Sequence, residues 1–234
     1  MITPQQPSGL LLFDKPKGIT SHDAVDLLRR KLFLRRIGHC GTLDPMATGL
    51  LILLVGGATS AQSAMQGSAK IYSGTICFGS ETDTWDAEGK VTAEAPPPPL
   101  DEKSVGEAVK AFNGKIVQQV PPYSAMRVNG KHMYKLARHN MAMPEVRREV
   151  EVRWLSWSIG QAVLNFEIEC SGGTYVRSIA HEMGRLMGSR AHLAALRRES
   201  IGVYNVKEAV SAEQLQKMTR VEALARLVPA PAVC

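Results

Sequence analysis

The run Gly49–Val55 (GLLILLV) constrains this chain more than any other stretch. Apolar residues in succession, with no polar alternation, leave no face for water, so the segment predicts a buried strand. It is far short of the ~20 residues a helix needs to cross a bilayer. Directly before it, Gly38–Gly49 (GHCGTLDPMATG) holds three glycines and a proline, which predicts a loop. Polar side chains on a glycine-rich loop beside a strongly apolar strand are how a scaffold presents site residues.

The rest of the chain supplies partners for that strand. Gly9–Phe13 reads as a second buried strand, ended by the turn Asp14-Lys15-Pro16-Lys17-Gly18. A helix follows with Ser21 as N-cap and Ala24, Val25, Leu28 and Leu32 on its apolar face. Ala58–Met65 predicts a short helix, Lys70–Gly79 an alternating strand and Asp83–Gly89 a turn. After the extended Pro96–Pro99, Asp101 caps a helix whose inner face is Val105, Ala108, Val109 and Phe112. Lys115–Val120 is a further strand, and Val150–Ile159 with Ala162–Cys170 forms a hairpin around Gly160. Gly172-Gly173-Thr174 opens a helix carrying Val176, Ile179, Ala180 and Met183 and stopping at Gly188. A strand near Val203–Val206 and a short helix after Ser211 end the chain. Elements mixed without regular βαβ alternation predict an α+β fold around a central, mostly antiparallel mixed sheet flanked by helices and loops.

The 234 residues are 44% hydrophobic and 21% charged, which excludes disorder and predicts one core. The opening MITPQQPSG has no basic start before an apolar stretch, so no secretory signal is read and the expected location is the cytoplasm. Cys40, Cys77, Cys170 and Cys234 are widely spaced, without zinc spacing, and predict reduced thiols. A net charge of +6 favours an anionic partner. Arg29, Arg30, Lys31, Arg35 and Arg36 crowd one stretch, and Arg127, Lys131, Lys135, Arg138, Arg147 and Arg148 another, the pattern of a phosphate track.

No nucleotide phosphate loop, dinucleotide fingerprint or G-x-S-x-G elbow is present. His181-Glu182 begins like a metalloprotease helix, but Arg185 stands where the second histidine belongs, so the pair reads as a surface feature. Two segments remain, Gly38–Gly49 and Ser171–Arg177 (SGGTYVR). On local grounds the structural reading is favoured for both: Asp44-Pro45 is an ordinary turn-initiating pair, and Thr174 an ordinary helix cap.

The string Gly38–Leu51 resembles the catalytic motif of the TruB-type tRNA pseudouridine(55) synthases. So, in order, do Gly9–Ser21 (GLLLFDKPKGITS), Lys70-Ile71-Tyr72, Thr82–Gly89 (TDTWDAEG), Pro122–Arg127 (PYSAMR), Cys170–Arg177 and Gly188–Arg198 (GSRAHLAALRR). The resemblance covers roughly residues 9–206. It implies the pseudouridine synthase fold, isomerisation of a T-loop uridine in tRNA after base flipping, and no metal or redox cofactor. It implies a catalytic domain at 9–206 with an RNA-gripping insertion at about 123–149, a flexible segment at 1–8, and a short tail at 207–234 without a PUA-like domain. The implied partner is the tRNA T-arm, with no membrane, no obligatory protein partner, and a monomeric enzyme.

By matching positions, the resemblance makes Asp44 the catalytic nucleophile and Arg177 the guanidinium that keeps its carboxylate ionised. Tyr72 stacks on the flipped uracil and takes part in proton transfer. His39 helps hold the displaced position in the RNA loop, and Tyr175 and Leu196 line the nucleotide pocket. Arg127, Lys131, Arg138, Arg197 and Arg198 are expected to meet phosphates, while His22 and His192 read as structural or surface histidines. Cys40 stands where many relatives carry threonine and Gly172 where many carry lysine, which makes a reactive Cys40 beside the site an expectation to test. Two alternatives stand beside the synthase: a tRNA-binding or tRNA-folding module with incidental or absent catalysis, and a synthase acting on another RNA.

Overall fold

A computed structural model describes residues 6–128, 130–138 and 144–231, without the side chains of Lys131, His132, Tyr134, Lys135 and Arg138. Its first elements are β1 (Gly9–Lys15), α1 (Ser21–Leu32), β2 (Ile37–Cys40), β3 (Thr48–Val55) and, after a 3-10 turn, α2 (Gln62–Gln66). Next come β4 (Lys70–Phe78), β5 (Ser80–Thr82), β6 (Val91–Glu94), α3 (Glu102–Ala111) and β7 (Gly114–Gln119). They are followed by β8 (Arg127–Val128), β9 (Lys131–His132), α4 (Met133–Arg138), β10 (Arg147–Gly160), β11 (Val163–Cys170) and α5 (Val176–Leu186). The chain closes with β12 (Ala191–Ile201), β13 (Tyr204–Asn205), β14 (Val210–Ser211), α6 (Ala212–Lys217) and α7 (Arg220–Ala225). No described helix is long and apolar enough to cross a membrane.

The chain divides into two compact units, residues 1–72 with 197–234, and residues 73–196. In the first, β1 and β3 pair antiparallel over seven residues, from Gly9↔Val55 to Lys15↔Gly49. Both strands are almost wholly buried, as the GLLILLV run requires. One face of the pair, Leu10, Leu12, Leu50, Ile52 and Leu54, packs with Cys40, Ala58, Ala61, Met65, Ile201 and Val206. Each such leucine contributes roughly 1.5–3 kcal/mol of transfer free energy.

β14 joins β1 in parallel, β2 joins β3 antiparallel, and β12 meets β3 in parallel at Arg197↔Thr48 and Arg198↔Gly49. Residues 207–231 are built into this unit, since Val210 pairs with Phe13 and Val228 exchanges two hydrogen bonds with Leu10. The expected loop is shorter than Gly38–Gly49, because β2 takes its first three residues and β3 its last two.

In the second unit the strand order is β4-β11-β10-β7, and β10 pairs antiparallel with β11 and β7. Asp101 and Ser104 cap α3 reciprocally, and Val105, Ala108, Val109 and Phe112 are buried as expected. Leu164, Phe166, Ile168 and Cys170 face inward from β11. Both units thus carry mostly antiparallel sheet flanked by helices, an α+β arrangement.

Two caps differ from expectation. Thr20, not Ser21, caps α1 in a box with Asp23, which frees the Ser21 hydroxyl to face inward. α5 starts at Tyr175 without a side-chain cap, and the Thr174 hydroxyl donates back to the Ser171 carbonyl at 2.9 Å.

Candidate active site

Asp44 sits half-buried on the loop between β2 and β3, and the chain on either side of it is tied down. Ser21 brackets Leu43: the Leu43 N–H donates to its hydroxyl at 2.8 Å, and the hydroxyl donates to the Leu43 carbonyl at 2.9 Å. On the other side the Pro45 carbonyl accepts from the Gly18 N–H at 2.9 Å and from the Lys15 Nζ at 3.3 Å. Lys15 is fully buried and also donates to the Pro16 and Ile19 carbonyls, so the turn after β1 and the Asp44 loop share one cation.

The same unit holds Tyr72, His39, Arg197 and Arg198. Tyr72 is buried on β4 with its hydroxyl 3.5 Å from an Arg198 guanidinium nitrogen. His39 lies on β2 with its Nδ1 buried and without a hydrogen-bond partner. Desolvation first, then the charges of Arg198 and His22, hold its pKa below the ordinary value, so it is neutral at pH 7. Arg197 makes a two-pronged contact with Asp14 at 3.0 and 2.9 Å, which raises its pKa.

Arg198 corrects the sequence reading. It is 1% exposed and donates to the Leu50 carbonyl at 2.7 Å and the Gly41 carbonyl at 2.9 Å, so it does not offer its charge to a phosphate. Cys40 is likewise fully buried, and burial pushes its thiol pKa up.

In the second unit, Arg177 enters at the start of α5 and is buried. Its guanidinium donates to the carbonyls of Thr84 and Tyr123, both at 2.8 Å, and lies 3.5 Å from the Asp86 carboxylate. Tyr175 is fixed through its backbone: its N–H donates to the buried Gln118 side chain at 2.7 Å, and Gln118 returns a bond to its carbonyl at 3.3 Å. Leu196 is buried on β12, and Arg127 is exposed on β8. The side chains of Lys131 and Arg138 lie outside the described residues.

His181 also departs from expectation: it is buried and stacks on Trp85 at 4.1 Å, so His181-Glu182 is not a surface pair. His22 is exposed near Asp26, and His192 Nδ1 lies 3.0 Å from the Ser80 carbonyl, both structural arrangements. Among the described residues no three His, Cys, Asp or Glu side chains converge as metal ligands.

The comparison with known families decides what this arrangement belongs to. The model of the TruB family pseudouridylate synthase N-terminal domain matches residues 29–176, and that of the tRNA pseudouridylate synthase B C-terminal domain matches residues 177–229. The chain belongs to the TruB family. A tRNA pseudouridine synthase B of Opitutus terrae is 43% identical over 98% of this chain and 96% of its own length. That of Geobacter sulfurreducens is 41% identical over 95% of this chain and 74% of its own. Among solved structures, one chain of a Cbf5-Nop10-Gar1 complex superimposes with a TM-score of 0.68 at 23% identity. It covers 91% of this chain, which spans 59% of that one, and the likeness shows a shared fold.

Within this TruB family chain, sequence reasoning missed Lys15 and Ser21 as supports of the Asp44 loop and, in the second unit, Asp86 as a partner of Arg177. Lys15 and Ser21 lie in the opening motif and Asp86 in the Thr82–Gly89 turn. Their presence in those quoted motifs was the available signal, but the contacts they make are tertiary.

Proposed function

We propose that this TruB family member isomerises the T-loop uridine 55 of tRNA to pseudouridine. The observation that carries the reading is the fastening of the Asp44 loop. A loop tied by Ser21 at the Leu43 backbone and by Lys15 at the Pro45 carbonyl, in the motif the family uses for catalysis, gives the carboxylate between them the fixed approach a nucleophile needs. The uridine N1–C1′ bond breaks, the base turns within the site, and a C5–C1′ bond forms while the C5 proton leaves and N1 gains one. Asp44 supplies the nucleophile, Arg177 a planar guanidinium, and Tyr72 an aromatic face for the extruded base. His39, Tyr175 and Leu196 serve the nucleotide, and Arg127, with Lys131 and Arg138, the phosphates. The enzyme works as a cytoplasmic monomer on the T-arm, without metal, redox cofactor or protein partner.

The test is tritium release from an unmodified tRNA transcript labelled at uridine C5. The parent protein should release the label from position 55, and a transcript with cytidine there should lose that signal. Asp44→Ala should cut the rate by more than about a thousandfold. Undiminished release by Asp44→Ala would remove the nucleophile assignment, and tight binding without release by the parent would favour a folding module.

A further inference from the structure

We infer that Arg198 is a positioning residue of the isomerisation, setting the geometry of the Asp44 loop and of the Tyr72 hydroxyl from one buried guanidinium. The inference rests on the reading of Asp44 as nucleophile and adds a residue whose expected role was phosphate binding.

Arg198 is among the largest side chains buried in this protein, and its three contacts are specific. Its Nε donates to the Leu50 carbonyl at 2.7 Å and one terminal nitrogen to the Gly41 carbonyl at 2.9 Å. Gly41 and Leu50 stand where the Asp44 segment leaves β2 and where it has joined β3. A planar, rigid fork therefore fixes the separation of the two ends of the segment. The second terminal nitrogen reaches the Tyr72 hydroxyl at 3.5 Å, at the outer limit of hydrogen bonding. A guanidinium can only donate, so the phenol oxygen accepts, and the proton on Tyr72 is left for another acceptor.

The backbone enforces the same arrangement. β12 lies beside β3 with Arg198 opposite Gly49, so closely that a Cβ on Gly49 would meet the Arg198 carbonyl oxygen at 2.3 Å. A Cβ on Gly41 would come within 3.4 Å of the guanidinium itself. The two glycines that flank Asp44 thus both give way to Arg198. A lysine would keep the charge, but its three donors radiate from one nitrogen and cannot reproduce the fork.

The experiment compares parent, Arg198→Lys, Arg198→Ala and Asp44→Ala for kcat and KM in tritium release, for tRNA binding at two salt concentrations, and for urea midpoint. A displacement of about 1 Å at a reacting group can cost ~100-fold in rate, so Arg198→Lys should lower kcat by roughly 30- to 100-fold. Its KM and the salt dependence of binding should stay within about twofold of the parent. Added guanidinium ion at low millimolar concentration should restore part of the kcat of Arg198→Ala and none of that of Asp44→Ala. If Arg198→Ala fails to fold, Arg198→Lys carries the comparison.

A kcat for Arg198→Lys within about threefold of the parent overturns the inference. So does a raised KM with a weakened salt dependence, which marks a phosphate contact. A kcat loss that vanishes when rates are normalised to folded protein also overturns it. Turnover by Asp44→Ala is a separate failure, that of the nucleophile assignment.

Discussion

The Asp86 carboxylate lies 3.5 Å from the Arg177 guanidinium, with both side chains buried. Asp86 is itself held, accepting from the Thr84 hydroxyl at 2.6 Å and the Glu88 N–H at 3.0 Å. Thr84 also offers its carbonyl to Arg177. The Thr82–Gly89 turn is therefore part of the socket of this arginine.

Removing one partner of a buried charge pair typically costs ~3–5 kcal/mol, because the other is left uncompensated. Asp86→Ala should lose stability in that range and most of its turnover. Asp86→Asn keeps an oxygen for the turn bonds and should lose less stability, yet still lower kcat because Arg177 is less firmly placed. Urea midpoints and tritium release measure both. A midpoint for Asp86→Ala equal to that of the parent would mean that the pair does not hold the turn.

His181 should give the protein an acid-sensitive step. Burial, followed by the charges of Arg185 and Arg190, lowers its pKa from 6.5 to about 4. Glu81 faces its Nδ1 at 3.7 Å, with Arg185 and Arg190 at 3.8 and 3.7 Å from the same carboxylate oxygen. Between about pH 6.5 and 4 the unfolded chain binds this proton and the folded one does not, so stability falls as pH is lowered through that window. The denaturation midpoint should drop with a slope of at most one proton from this group. His181→Phe, which keeps a flat ring against Trp85, should flatten the profile over the same range. Superimposable profiles for the two proteins would show that the step has another source.

The elements read most easily from sequence were those whose side chains report their own burial. β3 is apolar after Thr48 and β1 as far as Phe13, and β11 alternates without a slip. β12 was not read as a strand because its buried positions run Ala191, Leu193, then Leu196, Arg198 and Ser200, so the alternation breaks between residues 194 and 195. It also places a charged side chain at an inward position, which hydrophobic patterning cannot register. Thr20 and Ser21 are interchangeable as helix starts by propensity, and the Thr20–Asp23 box together with the Ser21–Leu43 bonds decides between them. Asp44 and Arg177 were legible only through resemblance, while the Arg177–Asp86 pairing joins residues 91 positions apart, a distance no local pattern spans.

Cys40 should be the slow thiol despite its place beside the site. It is fully buried with a raised pKa, whereas Cys77 is partly exposed on β4. Alkylation requires both the thiolate and access, so iodoacetamide at pH 8 should label Cys77 at least ~10-fold faster than Cys40 in the folded protein. Peptide mapping by mass spectrometry follows each site, and urea should equalise them. Equal rates under native conditions would show that the β2 strand opens readily.

Gly49 and Gly188 both have positive φ, at +97° and +70°, and differ in what surrounds them. A Cβ on Gly188 would meet open space, so Gly188→Ala carries only backbone strain, about 1–2 kcal/mol. A Cβ on Gly49 would strike the Arg198 oxygen, nitrogen and carbonyl carbon at 2.3, 2.7 and 2.9 Å. These are backbone atoms of a paired strand, so no rotamer change relieves the overlap, and β3 and β12 must separate. Gly49→Ala should therefore cost more than twice as much in urea midpoint as Gly188→Ala. Because separation carries Arg198 away from Gly41 and Leu50, whatever protein remains folded should also lose turnover, while Gly188→Ala keeps it. Equal costs for the two substitutions would mean that the strands yield at Gly49, and that their close approach does not hold the Asp44 loop in place.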